Sequence, residues 1–152
     1  MKLKTPLRYP GGKSRAVPKL LQWLPSREIT EYREPFLGGG SMAIEMTRRL
    51  PEEVPIWVND LYEPLYNFWV QLRDNGDYLH SELMRAKNFH PDEDTARELF
   101  LQSKENLNDS SRSQEDRAVD FYIINKCSFS GLTESSSFSK SASNSNFSHR
   151  GI

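Results

Sequence analysis

Three consecutive glycines, Gly38–Gly40, constrain the fold of this chain more than any other feature of its sequence. They lie between residues 29–36, which are predicted to form a β-strand, and an amphipathic stretch at 41–50, which predicts a helix with Ser41 as its N-cap. Glycine at such a junction permits a positive φ and lets a ligand approach the backbone closely. A simple tight turn explains the same residues, so the glycines alone do not define a site.

An acidic residue, Asp60, follows Gly40 by 20 positions. It lies just after a short apolar stretch, Ile56–Val58, which predicts a second strand. A carboxylate at the C-terminal end of a strand, beside a glycine turn, can accept hydrogen bonds from both hydroxyls of a ribose. The alternative is that Asp60 caps the helix that follows it. Together the turn and the acid favour a nucleoside ligand without identifying it.

The order of the remaining elements predicts an α/β fold. Apolar residues at 17, 20, 21 and 24 share one face of a helix that Pro25 ends, and a further helix from Pro64 closes at Asn75-Gly76, with Leu65, Phe68, Trp69 and Leu72 on one face. Strand, glycine turn, helix, strand, acid and helix form the front of a doubly wound, Rossmann-like sheet. Two strands cannot bury both faces, so such a domain is incomplete or poorly stable by itself.

From about residue 77 the chain is predicted to be mainly helical, with helices over about 95–106 and 114–126 and the apolar bulk of the second on one face. Eight of the last 22 residues are serine. Such a composition predicts a flexible tail, or a loop that only a partner orders.

Charge is distributed unevenly along the chain. Residues 1–27 hold seven basic residues and no acid, whereas residues 28–98 hold fifteen acids and seven bases. This pattern fits a polyanion facing the basic segment, or simply a solvated basic face. The single cysteine, Cys127, and the three histidines show no metal-ligand spacing, and no membrane span or secretory leader is recognisable, so we expect a cytoplasmic, metal-free protein.

The basic segment contains Tyr9-Pro10-Gly11-Gly12-Lys13-Ser14. A lysine placed after two glycines at the start of a helix suits a carboxylate or a phosphate equally well. The stretch is not a Walker loop, because Arg8 stands where the first glycine of that loop would be.

Four blocks of the sequence resemble, in order and spacing, motifs of the Dam-type adenine-N6 DNA methyltransferases. They are Leu7-Arg8-Tyr9-Pro10-Gly11-Gly12-Lys13-Ser14, Glu34-Pro35-Phe36-Leu37-Gly38-Gly39-Gly40-Ser41, Val58-Asn59-Asp60-Leu61 and Asn125-Lys126-Cys127-Ser128-Phe129-Ser130-Gly131-Leu132. The resemblance spans about residues 5–140. It implies methyl transfer from S-adenosylmethionine to an adenine flipped out of duplex DNA, because the N6 amino group cannot be reached in a stacked base pair.

The resemblance assigns the cofactor to six residues: Tyr9, Lys13, Phe36, Gly38, Gly40 and Asp60. Lys13 would pair with the methionine carboxylate, and Asp60 would bind the ribose hydroxyls. Phe36 and the two glycines would line the methionine and adenosine. Tyr9 would pack near the cofactor or the flipped adenine.

The resemblance also implies double-stranded DNA as the partner and divides the chain at 1–76, for cofactor binding, and 77–152, for target recognition. Five residues would contact DNA: Arg8, Asn125, Ser128, Phe129 and Ser130. Phe129 would wedge into the duplex, although it could instead pack beneath its loop. Several relatives that read GATC carry an arginine after the Gly-Leu pair; here Thr133-Glu134-Ser135 follows, which puts that specificity in doubt.

The catalytic Asp-Pro-Pro-Tyr motif of the family is absent, since no Pro-Pro pair occurs in the 152 residues. We therefore expect a fragment that does not methylate DNA by itself. The alternatives are a non-catalytic module that binds DNA or S-adenosylmethionine, and an unrelated nucleotide-binding α/β domain. A restriction–modification enzyme, a phage enzyme and a housekeeping methylase would look alike at this level.

Overall fold

The computed structural model describes residues 3–131, 133 and 135–152, and its contacts form two compact units, Met1–Leu61 and Tyr62–Ile152. Lys2 of the basic segment, and Leu132 and Glu134 near the fourth motif, lie outside the described residues. The helix that begins near Pro64 belongs to the second unit. A compact unit is not a functional domain, so the division of roles at 76/77 stays a prediction.

The first unit contains two short parallel strands and helices on one side of them. Its elements are α1 (Val17–Leu20), a 3₁₀ turn (Leu21–Trp23), β1 (Tyr32–Glu34), α2 (Ser41–Arg49) and β2 (Ile56–Val58). The predicted apolar helical face at 17–24 is confirmed, although the helix tightens into the 3₁₀ turn. Its leucines pack against the buried cluster of Val17, Met42 and Met46.

The sheet pairs β1 with β2 in parallel, with Tyr32 opposite Ile56 and Glu34 opposite Val58. Two parallel strands agree with the predicted α/β class. The strand predicted over 29–36 is only three residues long, because its partner is only three residues long and follows Pro55. One face packs on the helical cluster through Tyr32 and Ile56, whereas Trp57 on the other face is 49% exposed.

The start of α2 differs from the prediction. Gly40, and not Ser41, is the N-cap, and it adopts a left-handed conformation with φ 67° and provides no side-chain cap. The turn from strand to helix needs this positive φ directly before the helix, where glycine costs least. Ser41 is instead the first helical residue, and its hydroxyl lies 2.8 Å from the Ser14 hydroxyl.

The second unit is a helical bundle. Its helices are α3 (Glu63–Asp74), α4 (Gly76–Phe89), α5 (Glu93–Leu107), α6 (Gln114–Cys127) and α7 (Lys140–Asn146), with a 3₁₀ turn at Phe129–Gly131. The predicted α5 and α6 are confirmed within two residues. The predicted end of the Pro64 helix at Asn75-Gly76 is confirmed, since α3 ends at Asp74 with Asn75 as its C-cap. Gly76 then begins α4, which buries Leu79 and Leu83.

The core of this unit is built around α6, which is buried over ten consecutive residues, Ala118–Cys127, and not along one face as predicted. The Phe68 ring of α3 lies against Phe121 and Tyr122, with ring centroids 5.6 and 5.8 Å apart. The buried face of α3 is also rotated relative to the predicted apolar face. Leu72 is 37% exposed, whereas Gln71 is buried.

The serine-rich end of the chain is structured. Ser139 caps α7 by accepting a hydrogen bond from the Ala142 N–H at 3.2 Å, and Phe147 after the helix is fully buried. The expectation of a flexible or partner-ordered tail is therefore wrong. Serine serves here as a helix cap, a role that composition does not reveal.

Two absences apply to the described part of the chain only. Within it, no helix has the length and apolar character needed to cross a membrane. The same residues contain no group of three or more histidine, cysteine, aspartate or glutamate side chains placed to hold a metal ion.

Candidate functional site

A cavity of about 230 Å³ in the first unit brings together all six residues predicted to bind a cofactor. Its lining consists of Tyr9, Gly11, Gly12, Lys13, Glu34, Phe36, Leu37, Gly38, Gly39, Gly40, Ser41, Met42 and Asp60. The walls therefore come from the segment before α1, the turn between β1 and α2, and the residues that follow β2. Three stretches that are distant in sequence meet at one place.

Asp60 is fixed against the glycine turn. The Gly38 backbone N–H donates to Asp60 Oδ2 at 2.8 Å, and the Leu37 N–H donates to the Asn59 carbonyl, also at 2.8 Å. The alternative role for Asp60 as a helix cap is wrong, because α3 begins at Glu63 with Tyr62 as its N-cap. The carboxylate is thus held at the cavity wall, where the prediction of a ribose contact requires it.

The Tyr9 side chain packs on the glycine turn so closely that it would have to shift to admit a side chain there. A Cβ at Gly38 would lie 2.9 Å from Tyr9 Cε1, and a Cβ at Gly39 would lie 3.0 Å from Tyr9 Cβ. Gly38 also has φ 52°, a conformation that favours glycine. Burial, and secondarily the nearby Asp60 carboxylate, raise the pKa of Tyr9. These glycines are therefore required by the protein's own packing as well as by any ligand.

Glu34, which is not among the residues predicted from the sequence to bind a cofactor, lines the same cavity. Its carboxylate accepts hydrogen bonds from the Tyr32 hydroxyl, at 3.2 Å, and from the Ala43 backbone N–H in the first turn of α2. Burial raises the pKa of Glu34, although these hydrogen bonds and the charge of Lys13 act in the opposite direction. The signal for Glu34 was present, since it is the first residue of the Glu34-Pro35-Phe36 block.

The raised pKa of Glu34 predicts a pH dependence of stability. The folded state holds this proton above the ordinary value of 4.5, so the contribution is fully present below pH 4.5 and is lost as the pH rises through the folded-state pKa. Glu34→Gln removes the titration and keeps an acceptor. As the pH rises from 4 to 7, we expect the melting temperature of the wild type to fall relative to that of Glu34→Gln. A difference that is constant over that range would contradict this assignment.

Phe36 lies at the mouth of the cavity and is 80% exposed. Lys13 is also exposed, and it forms no side-chain ion pair with any residue that the structure describes. A cation, a fixed carboxylate, an exposed aromatic ring and a glycine backbone thus surround one space. This set suits a ligand that carries a carboxylate, a ribose and an apolar part.

The residues predicted to contact DNA are divided between the two units. Arg8 lies partly buried in the first unit. In the second unit, the turn after α6 exposes Phe129, at 67%, and Ser130, which has φ 56°. Asn125 and Ser128 lie beneath that turn and are almost completely buried.

Asn125 and Ser128 are therefore not positioned for direct contact with DNA, because burial leaves their side chains no surface. Asn125 Nδ2 donates to the Gly131 carbonyl at 2.9 Å, and Ser128 forms an antiparallel bridge with Phe138. Both support the turn that presents Phe129. The contacts proposed for the two exposed residues of the turn stay predictions.

Comparison with known proteins identifies one matching family model and two similar curated proteins. The family model for D12 class N6 adenine-specific DNA methyltransferases matches residues 9–150. The Type II methyltransferase M.MjaIII of Methanocaldococcus jannaschii is 25% identical over 140 residues, which are 87% of this chain and 48% of that protein. The Type II methyltransferase M1.LlaDCHI of Lactococcus lactis subsp. cremoris is 26% identical over 128 residues, which are 82% of this chain and 41% of that protein.

The first unit combines two parallel strands and helices with a cavity lined by Lys13, the Gly38–Gly40 turn and Asp60. The chain belongs to the D12 class N6 adenine-specific DNA methyltransferase family, since the match covers almost its whole length. The resemblance predicted from the four motifs is confirmed. The chain spans about half the length of the curated relatives it matches.

Proposed function

We propose that the cavity in the first unit binds S-adenosylmethionine as part of a DNA adenine-N6 methyltransferase. The observation that carries this proposal is the convergence of Lys13, the Gly38–Gly40 turn and Asp60 on one cavity, with Asp60 hydrogen-bonded to the turn. When bound, the cofactor supplies a methyl group activated by its sulfonium charge. We also propose that the two parallel strands are part of a doubly wound, Rossmann-like sheet, as the sequence predicts.

Each residue of the cavity has a role that its chemistry supports. Lys13 would neutralise the methionine carboxylate, and Asp60 would accept from the ribose hydroxyls while it still holds the Gly38 N–H. The glycines would let the cofactor approach the backbone, and Phe36 would cover its apolar part. A volume of about 230 Å³ is below the roughly 300 Å³ at which ligand pockets begin. The cofactor would therefore extend past Phe36 at the open mouth.

Double-stranded DNA is the proposed partner. Phe129 would enter the base stack as the target adenine leaves it, and Ser130 beside it would contact the backbone. The supporting observation is the exposure of both residues on a turn that Asn125 holds from below. Arg8 would contact DNA from the basic segment. Residues 77–152 would thus serve target recognition and residues 1–76 cofactor binding.

We further propose that this chain binds the cofactor without transferring its methyl group. No Pro-Pro pair is present, so the polar group that orients the adenine amino group and the aromatic ring that stacks on the base are absent from these 152 residues. The second candidate, a non-catalytic binding module, rests on the same absence. The names of the relatives favour a restriction–modification role, and a DNA substrate favours a cytoplasmic location.

Isothermal titration with S-adenosylmethionine tests the cofactor assignment. Asp60→Asn retains an acceptor for the Gly38 N–H but loses the charge, and Lys13→Gln loses the cation. We expect each variant to bind at least about tenfold more weakly, since hydrogen bonds to charged groups contribute about 1.5–3 kcal/mol. Lys19→Gln and Asp77→Asn make the same changes at exposed positions outside the cavity and should bind like wild type. Equal affinity of all five proteins would contradict the assignment.

A further inference from the structure

A second cavity, of about 350 Å³, is lined in part by the Tyr9–Gly12 segment of the first unit. It shares Tyr9, Gly11, Gly12, Gly39 and Ser41 with the proposed cofactor cavity, whereas Lys13 and Asp60 do not line it. Its own walls are formed by Thr5, Leu7, Ser14 and Arg15. It is therefore a separate compartment that adjoins the cofactor cavity.

The chemistry of this second cavity is that of an anion site. Arg15 supplies an exposed guanidinium, and the hydroxyls of Thr5, Ser14 and Ser41 supply donors. The lining residues that the structure describes include no acid, and Arg15 forms no ion pair in that part of the chain. A guanidinium beside hydroxyl donors matches a phosphate group better than it matches any neutral or cationic ligand.

The hydroxyls are already placed for such a ligand. Ser14 Oγ and Ser41 Oγ are 2.8 Å apart, so one of the two donates to the other and the second hydroxyl hydrogen remains available to a ligand. Thr5 Oγ1 accepts from the Leu7 N–H at 3.2 Å, which leaves its own O–H as a donor. Ser41 connects the cavity to the glycine turn, since it directly follows Gly40.

We propose that the second cavity binds a backbone phosphate of DNA through Arg15, Ser14 and Ser41. The charge distribution favours DNA over a free phosphate, because residues 1–27 hold seven bases and no acid and so offer a polyanion more than one contact. A phosphate held here would be close to the cofactor, since the two cavities share Tyr9, Gly11 and Gly12 as lining residues. This inference rests on the proposed function, and it adds a positioning contact close to the methyl donor.

The test is fluorescence anisotropy with a labelled duplex of about 20 base pairs at salt concentrations from about 50 to 200 mM, where phosphate contacts dominate the salt dependence. Arg15→Gln should weaken binding about fivefold to tenfold and should reduce the slope of log affinity against log salt by about one, the value for one phosphate contact. Arg15→Lys should restore the slope but only part of the affinity. Arg27→Gln, an exposed change in the same basic segment, should stay within about twofold of wild type.

Several results would overturn the proposal. Equal losses of DNA affinity in Arg15→Gln and Arg27→Gln would show that the basic segment acts through its overall charge and not through a phosphate site at Arg15. A loss of S-adenosylmethionine affinity in Arg15→Gln, with DNA binding unchanged, would make this space part of the cofactor cavity. Inorganic phosphate that binds at Arg15 in the absence of duplex binding would indicate a free-phosphate site. Intact cofactor binding in a wild type that does not bind DNA would remove this inference and leave the cofactor assignment standing.

Discussion

Phe68→Ala should lower the free energy of unfolding of the second unit by about 3–5 kcal/mol, the range for removing a buried phenylalanine side chain. Phe68 is 1% exposed and contacts the rings of Trp69, Phe121 and Tyr122 at centroid distances of 5.6–5.8 Å. The residual cavity would lie between α3 and α6. Because native stabilities are typically about 5–15 kcal/mol, this one change removes much of the margin.

Chemical denaturation followed by circular dichroism measures this loss, and Phe129→Ala is its matched control. Phe129 has the same side chain but is 67% exposed, so its removal should change stability by less than about 0.5 kcal/mol. Of the two variants, Phe129→Ala should have the larger direct effect on DNA affinity, since Phe129 is the proposed wedge. Equal stability losses in the two variants would contradict the placement of Phe68 at the centre of this core.

Gly38→Ala should weaken cofactor binding at least about tenfold. It should also destabilise the first unit by roughly 1–3 kcal/mol. Two causes combine. The φ of 52° is unfavourable for alanine, and the new Cβ would lie 2.9 Å from Tyr9 Cε1. Either the ring or the turn must shift, and the Gly38 N–H would then lose its alignment with Asp60.

Gly11→Ala separates the two causes. Gly11 has φ 73°, but a Cβ there meets nothing within 4 Å, so only the backbone strain applies. We expect a smaller loss of stability, about 1 kcal/mol, in thermal denaturation. Adding Tyr9→Ala should reduce the cost of Gly38→Ala to that of Gly11→Ala. A cost that Tyr9→Ala leaves unchanged would contradict the packing of the ring on the glycine turn.

The sequence was sufficient to predict which residues meet at the cavity of the first unit, because they lie in short segments with strong local constraints. Gly38 and Gly40 have positive φ, β2 lies between Pro55 and Asn59, and Asp60 follows two residues after the end of that strand. These restrictions are local, so a pattern of residue types carries them. Glu34 stands at the start of the Glu34-Pro35-Phe36 block, but its hydrogen bond from the Ala43 N–H is a tertiary contact that this local pattern does not display.

The second unit was predicted less well because its burial depends on tertiary packing. Ten consecutive residues of α6 are buried, since other helices of the unit surround it, and this removes the one-sided pattern by which a surface helix is recognised. For the same reason the predicted DNA contact of Asn125 does not fit its position, since Asn125 is buried and donates to the Gly131 carbonyl. The final helix was not predicted because its serines suggested disorder, whereas Ala142, Ser143 and the following Phe147 are buried and anchor it.

The most direct test of the cofactor assignment is a nitrogen-15 NMR titration of the glycine-labelled chain with S-adenosylmethionine. Of the eight glycines, Gly11, Gly12 and Gly38–Gly40 line the proposed cavity, whereas Gly76, Gly131 and Gly151 lie in the second unit and serve as internal controls. Cofactor binding in the cavity predicts saturable shifts of the first five signals and unchanged positions for the other three. Unchanged signals for all eight, or shifts confined to the three controls, would contradict it.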